Sequence, residues 1–179
     1  MIKNNKEYLD ILDINGNKIG VKERGQAKKD KDIIKIVYLW IINEKNEILL
    51  QKRALNKKSN PGKWDCAVAG HILAGETSID AIKREAKEEL NLDIDVNSLK
   101  LIYSGKGNDG KIQFHDVFLL MSNVDIKEIK IQEEEVESVK YFDFKKLLEI
   151  YNSGDFANDF HNDEVIEQLT NLLCLKVVS

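Results

Sequence analysis

The segment GHILAGETSIDAIKREAKEELNL, residues Gly70 to Leu92, decides the fold of this chain. Thr77 or Ser78 supplies an N-cap at the start of a helical pattern that continues to about Leu90. With about 100° of rotation per residue, one face of this helix is apolar, and it carries Ile79, Ile82, Ala86 and Leu90. We therefore predict a helix over 77–90 that packs against a sheet.

Three glutamates, Glu85, Glu88 and Glu89, lie on a neighbouring face of the same helix, because positions three and four apart are side by side. Their repulsion costs about a few tenths of a kcal/mol per pair. The cluster is either a solvated surface, with Arg84 and Glu88 as an i,i+4 pair, or a site for a divalent cation. Carboxylate oxygens without His or Cys suit Mg²⁺ or Mn²⁺ better than zinc.

Strands are predicted on both sides of the helix. Residues 8–24 form a hairpin around Asn15-Gly16, and the polar, Lys-rich residues 25–32 predict a loop. Apolar and β-branched runs predict further strands at 33–42, 47–53, 65–71, 99–105, 111–122 and 135–144. Helices are expected at 145–151 and 161–173. This order predicts an α/β protein with layers around a mixed sheet.

Length and charge limit the other classes of protein. The chain has 179 residues, 31 acidic and 27 basic, and a net charge of −4, which predicts a single domain over 1–179. The acidic excess disfavours a nucleic acid polymer as partner. Without an apolar run of about 20 residues or a signal core, we expect no membrane association and a cytoplasmic location.

The spacing of the decisive segment resembles the Nudix box. That motif runs Gly, five residues, Glu, seven residues, Arg-Glu, an apolar residue, any residue, Glu-Glu, any residue, Gly and an apolar residue. The matching positions, which define a box over 70–92, are Gly70, Glu76, Arg84, Glu85, Ala86, Glu88, Glu89 and Leu92. Asn91 replaces the second Gly, and Asn is the next-best residue for a left-handed helix end.

The resemblance implies a Nudix-type α/β/α sandwich and a metal-dependent hydrolase. Such an enzyme cleaves a diphosphate bond, in a nucleoside diphosphate derivative or a similar small molecule, by water attack on phosphorus. By position, Glu85, Glu88 and Glu89 would hold Mg²⁺ or Mn²⁺, and Arg84 would orient them. Gly70 and Glu76 would support the box.

The general base of this family varies in position. The acidic run QEEEV, residues 132–136, precedes a predicted strand, and the corresponding loop of the Nudix fold lies near the metal. Glu134 and Glu135 are therefore candidate bases, with Glu85 as the alternative. As a charge run, most of this segment is expected to be solvated.

Most of residues 8–150 resemble the Nudix branch closest to type I isopentenyl-diphosphate isomerase. The isomerase needs a Cys directly before the Gly-His of the box, where this chain has Ala69, and Cys66 lies three residues away. On one strand, this offset would put Cys66 on the opposite face. Of the isomerase's metal ligands, His71 is kept. The other positions carry Lys28, Lys35, Lys111 and Gln113. Isomerase activity and a non-catalytic binding module remain alternatives to the hydrolase.

Four further residues are candidates for substrate contact, and each has a structural alternative. The chain has only three Arg among its 27 basic residues, and Arg24 and Arg53 end predicted strands, where exposed arginines without function are common. Trp64, beside a Pro-Gly loop, lines the substrate pocket or belongs to the core. His71 contacts the substrate or supports the groups that do, or it only hydrogen-bonds to the backbone. The expected partners are a small-molecule diphosphate and, in a homodimer, a second copy.

Overall fold

The computed structural model describes residues 6–107, 113–157 and 163–175 of the chain. The strands are β1 Tyr8–Leu12, β2 Lys18–Glu23, β3 Lys35–Ile42, β4 Ile48–Arg53, β5 Trp64–Cys66, β6 Val68–His71, β7 Leu99–Lys106, β8 Phe114–Met121 and β9 Val136–Phe142. The α-helices are α1 Arg24–Asp30, α2 Ser78–Leu90, α3 Phe144–Ser153 and α4 Asp163–Leu175. Short 3₁₀ turns cover Val96–Ser98 and Ile126–Glu128.

The main sheet is built around β3, whose continuous apolar run suits a strand that is buried on both faces. β3 pairs in parallel with β8 and antiparallel with β4 and β6. β5 and β9 pair with β4, and β7 pairs with β8. The sheet is therefore mixed, as predicted, whereas β1 and β2 form a separate two-stranded sheet.

Two apolar layers cover the two faces of the main sheet. Val37 and Leu39 of β3 face α2, where they pack with Ile82, Ala86 and Leu90. Tyr38 and Trp40 face the other way and pack with residues of α3 and α4, among them Leu147, Tyr151, Val165 and Leu169. The Trp40 ring stacks on Phe156 with centroids 5.9 Å apart. This arrangement confirms the α/β/α sandwich.

Helix α2 has the predicted start and end. Thr77 and Asp80 form a capping box, and Asn91 caps the C-terminus in the left-handed conformation with φ 54°. The prediction was wrong for Ile79, which is 40% exposed. Ile79 is the second residue of α2 and lies in its first turn, where Ser78 and Asp80 are not buried either.

Two other predictions were wrong. The polar stretch 25–32 forms most of α1, which Glu23 caps by accepting a hydrogen bond from the Gly25 N–H at 3.0 Å. Ala27 is the buried residue of this helix, so the sequence shows no apolar period. The strand predicted over 65–71 is split into β5 and β6 because the chain changes partner from β4 to β3. Cys66 and Ala69 consequently lie on the same side of the sheet.

The N-terminal hairpin and α1 pack against the first turn of the box. Leu9 and Ile11 form a small core with Ala27, Ile34 and Leu73. The Ala74 N–H donates to the Tyr8 carbonyl at 2.8 Å. A two-stranded hairpin alone is marginally stable in water, so this packing anchors it and carries α1 to the edge of the box.

Some predictions concern residues outside the described ranges. The beginning of the strand predicted over 111–122, the helix start at His161 and the side chain of Cys174 lie there. None of the helices that the structure describes is both long and apolar enough to cross a membrane.

Candidate active site

Arg84 is the centre of the box. Its guanidinium donates from Nε and Nη2 to the two carboxylate oxygens of Glu76, at 2.8 and 2.9 Å. Nη1 donates to Glu85 at 2.8 Å and to Glu88 at 3.3 Å, and Nη2 also donates to the His71 carbonyl at 2.9 Å. Burial alone would lower the pKa of Arg84, but the hydrogen bond to Glu76 and the charge of Glu85 outweigh it and raise the pKa.

Glu76 clamps the loop between β6 and α2. It accepts hydrogen bonds from Arg84 and, at 3.0 Å, from the Leu73 N–H. The Arg84 hydrogen bond is the main cause of its lowered pKa. A carboxylate that is ionised and bound in this way ties the loop to the helix.

Glu85 lies directly on the backbone of β6 at Gly70. A Cβ atom at Gly70 would come within 2.1 Å of the Glu85 carboxylate, so no residue with a side chain fits there without displacing it. Burial raises the pKa of Glu85 to about 7, against the opposing effect of Arg84. The Gly of the box is therefore needed for close approach, and not for an unusual backbone angle.

Glu89 is buried in the middle of the face that α2 turns to the sheet. Its Oε2 accepts a hydrogen bond from the Gln51 side-chain amide of β4 at 3.1 Å. Within the described ranges, no basic side chain forms an ion pair with Glu89. Burial, followed by the charge of Glu85, raises its pKa well above the usual value, and Asp65 and Glu135 add to this effect.

The box carboxylates fit a hard divalent cation in their chemistry. Glu85 and Glu89 are oxygen donors removed from water, and only Glu85 has a cationic partner among the residues described. Such a buried carboxylate costs free energy unless a cation compensates it. Glu88 is a more exposed third donor. In the part of the chain that the structure describes, no three His, Cys, Asp or Glu side chains already surround one point.

The two candidate bases in the acidic run differ in position. Glu135 is half-buried beside Lys57, with which it forms an ion pair, and its charge acts on Glu89. Glu134 is exposed in the turn before β9. The geometry favours Glu135 over Glu134, a distinction that the sequence did not make.

Arg53 and Trp64 have partners within the protein. Arg53 donates to Asp65 at 3.2 Å and, from Nε and Nη2, to the Ser59 carbonyl at 3.4 and 3.3 Å, which closes the loop after β4. The Trp64 ring packs edge-on against Phe142 at 4.8 Å, on the side of the sheet that faces α3 and α4. For both residues these contacts provide a structural role.

Arg24 and His71 lie near each other at the edge of the box. Arg24 pairs with Glu7 at 2.6 Å, and both side chains are largely exposed. Burial lowers the pKa of His71 to about 3, helped by the positive charges of Arg24, Lys28, Lys57 and Arg84. His71 is therefore a neutral group in a basic environment, which suits contact with an anionic substrate.

Sequence reasoning did not single out Gln51, Lys57 or Asp65 as parts of the site. Gln51 is a polar residue in the otherwise apolar start of β4, and Asp65 lies within an apolar stretch. Both side chains are buried, so a polar residue inside a strand was the available signal. Lys57 gave no signal, because it is one of many lysines in polar loops.

His115 and Asp116 of β8 face opposite sides of the sheet, as successive strand residues do. His115 packs edge-on against Tyr38 with ring centroids 5.0 Å apart, in the core below α3 and α4. Asp116 faces α2 and accepts hydrogen bonds from Ser78 and, at 2.7 Å, from Ser104. The Lys35 ammonium lies 2.5 Å from it.

Comparisons with known proteins agree with this geometry. The NUDIX domain family matches residues 34–166, which include the whole box. The chain is 35% identical over 163 residues to Nudix hydrolase 3 of Arabidopsis thaliana, a match that covers 85% of this chain but only 21% of the plant protein. An uncharacterized Nudix hydrolase of Listeria monocytogenes is 31% identical over 167 residues, which cover 93% of this chain and 95% of the relative.

Two further matches concern the branch and the fold. The isopentenyl-diphosphate Delta-isomerase of Corynebacterium glutamicum is 36% identical over 90 residues, half of this chain and 48% of that enzyme, which supports the branch indicated by the sequence. The solved structure of DR0079 from Deinococcus radiodurans has a TM-score of 0.73 and 23% identity, and the match covers 92% of this chain and 98% of that one. It is similar to this chain in fold.

Proposed function

Because this chain belongs to the Nudix family, we propose that it is a divalent-metal-dependent hydrolase that cleaves a diphosphate bond in a small molecule. The observation that carries the proposal is the contrast within one row of carboxylates. Arg84 fixes Glu85 and Glu88, whereas Glu89 is buried with only the Gln51 amide as its hydrogen-bond partner among the residues described.

Glu85, Glu88 and Glu89 are the residues that would hold Mg²⁺ or Mn²⁺. A bound ion neutralises diphosphate oxygens and lowers the pKa of the attacking water. Arg84 keeps Glu85 and Glu88 in place beforehand, so little reorganisation is needed when substrate binds. The neutral His71, with the positive charges of Arg24 and Lys28 acting on it, provides a surface for the substrate's negative charge.

Glu135 is our candidate for the general base. It accepts a proton from the attacking water while the water oxygen bonds to phosphorus and the bond to the leaving phosphate breaks. Glu85 is the alternative base, because it lies on the same helix face as the other box carboxylates.

Hydrolysis agrees better with the site than isomerase chemistry. Cys66 is buried, and its thiol contacts the Val68 carbonyl at 3.1 Å. Burial, followed by the charge of Asp65, raises the pKa of this thiol well above its usual value. A buried, neutral thiol is a poor group for proton transfer to a substrate. A binding module without turnover has no need of all the box carboxylates that this chain retains.

A substrate panel with Mg²⁺ or Mn²⁺ tests the proposal. The panel contains ADP-ribose, a dinucleoside polyphosphate, simple nucleoside diphosphates and isopentenyl diphosphate. Phosphate-containing products are separated by chromatography, and isotope exchange is followed for isopentenyl diphosphate. We expect hydrolysis by the wild-type protein and a loss of about 100-fold or more in kcat for Glu89→Gln. The control is Glu133→Gln, which changes an exposed residue of the acidic run.

The possible outcomes separate the three functions. Hydrolysis that depends on metal and on Glu89 supports the proposal. Isotope exchange into isopentenyl diphosphate supports the isomerase, and diphosphate binding in calorimetry without turnover supports a binding module. A cytoplasmic location and a homodimer stay predictions, which fractionation and sedimentation would check.

A further inference from the structure

An ion pair joins two loops at the edge of the site. Lys57 lies in the loop between β4 and β5, Glu135 precedes β9, and the Lys57 ammonium contacts the Glu135 carboxylate. The two side chains are 21% and 35% exposed. The pair is therefore partly shielded from water, where a charge interaction is stronger than on an open surface.

The backbone around Glu135 is held independently of this pair. The Ala54 N–H donates to the Glu135 carbonyl at 3.0 Å, and the Glu135 N–H donates to the Gln132 carbonyl at 2.8 Å. The Gln132 N–H in turn donates to the Glu89 carbonyl at 2.9 Å. These bonds fix the Glu135 main chain relative to β4 and the end of α2, so the direction of its side chain is what the Lys57 contact decides.

The charges around Glu135 give that contact a function. Glu135 is close enough to Glu89 for their charges to interact unfavourably, and Glu85 and Asp65 also act on Glu89. Repulsion from Glu89 favours turning Glu135 outward into solvent. A cation placed on Glu135 opposes that movement, and the described ion pairs give it Lys57 as a partner.

We propose that Lys57 is a positioning residue for the reaction, whose ammonium group holds the Glu135 carboxylate at the Glu89 end of the box. Lys57 acts through Glu135 and contacts none of the three metal-binding candidates among the contacts described. The inference rests on the proposed function, in which Glu135 takes the proton from water.

The chain contains a matched control pair. Lys52 of β4 and Glu137 of β9 form a second ion pair, with Nζ and Oε1 3.2 Å apart and side chains 32% and 39% exposed. Lys52→Met removes the same type of interaction between segments that neighbour Lys57 and Glu135 in the sequence. It affects stability as Lys57→Met does but leaves Glu135 with its partner.

The test measures kcat and KM for the best substrate of the panel in five variants of the full chain: Lys57→Met, Lys57→Arg, Glu135→Gln, Lys57→Met with Glu135→Gln, and Lys52→Met. We expect Glu135→Gln to lower kcat about 100-fold and Lys57→Met about 10-fold, with KM within about twofold of wild type. Lys57→Arg keeps the positive charge, so we expect it to retain most of the wild-type kcat. In the Glu135→Gln background, Lys57→Met lowers kcat no further.

The other outcomes overturn the inference. If Lys57→Met raises KM and leaves kcat unchanged, Lys57 contacts substrate and does not position the base. If Lys57→Met and Lys52→Met lower kcat equally, or if the effects of Lys57→Met and Glu135→Gln multiply, Lys57 does not act through Glu135. Melting temperatures show whether Lys57→Met has folded. If it has not, the kcat of Lys57→Arg is compared with that of Glu135→Gln, and a loss as large in Lys57→Arg as in Glu135→Gln overturns the inference. Absence of any turnover by wild type overturns the proposed function itself, and the role of Lys57 with it.

Discussion

The two ends of the carboxylate cluster on α2 are compensated in different ways. At one end, the Arg84 guanidinium binds Glu76, Glu85 and Glu88. At the other end, Glu89 is buried against Gln51, a neutral amide. The Arg84 guanidinium holds the carboxylates of the first end in place. At the second end, the neutral Gln51 amide does not compensate the Glu89 carboxylate, which a bound metal ion could neutralise. The difference separates the structural part of the box from the part that we expect to bind metal.

Arg84→Met should have the largest effect, because it removes the cation from the rigid end. Breaking a buried ion pair by removing one partner costs about 3–5 kcal/mol. Because Arg84 and Glu76 are each 21% exposed, we expect the free energy of unfolding to fall by about 3 kcal/mol, the low end of that range, together with loss of activity. Urea unfolding followed by tryptophan fluorescence measures it. Arg24→Met is the control, because the exposed Arg24–Glu7 pair is worth less than about 1 kcal/mol. An equal decrease in the free energy of unfolding of the two variants would contradict the structural role of Arg84.

Metal binding should stabilise the protein through the other end. A ligand at 100 times its Kd adds about 2.7 kcal/mol to the free energy of unfolding, so Mg²⁺ or Mn²⁺ should raise the melting temperature of the wild type. Glu89→Gln should abolish most of this increase and leave the metal-free protein as stable as wild type or more stable, because it removes a buried charge. An increase of the same size in the variant would exclude Glu89 as a ligand.

Gly70→Ala should have the smallest effect and sharpen the boundary between the two ends. The new methyl group would displace the Glu85 carboxylate from the β6 backbone, at a cost of about 1–3 kcal/mol. It should weaken metal binding, as measured by the metal-dependent change in melting temperature. Gly20→Ala is the control, since nothing lies within 4 Å of the added atom. An unchanged metal response in Gly70→Ala would mean that Glu85 need not rest on β6.

Much of the fold was accessible from the sequence where the pattern was local and periodic. The run 33–42 predicted a strand buried on both faces, and the period of the box predicted α2 with both of its caps. Helix α1 was missed because its one buried residue, Ala27, produces no period. The division of 65–71 into two strands was missed because it depends on which neighbour each half pairs with.

The candidate site shows the same division. The box spacing alone identified Glu85, Glu88, Glu89 and Arg84 as one group, since residues on one helix face are neighbours whatever surrounds them. It did not distinguish Glu134 from Glu135, because adjacent residues of a loop point in directions that only the packed chain defines. The role of Lys57 could not be predicted from the sequence for the same reason, because its partner Glu135 is 78 positions away.

The sequence by itself determined the family resemblance, the helix with its row of carboxylates, and the order of strands around it. The tertiary structure decided which carboxylate is paired with an internal cation and which is left to an amide. It also decided that Gly70 is needed for the approach of Glu85, and that Glu135 meets Lys57. The physical reason is distance: a helix brings residues three and four apart together through its own geometry, whereas burial and charge compensation depend on segments that meet only when the whole chain has folded.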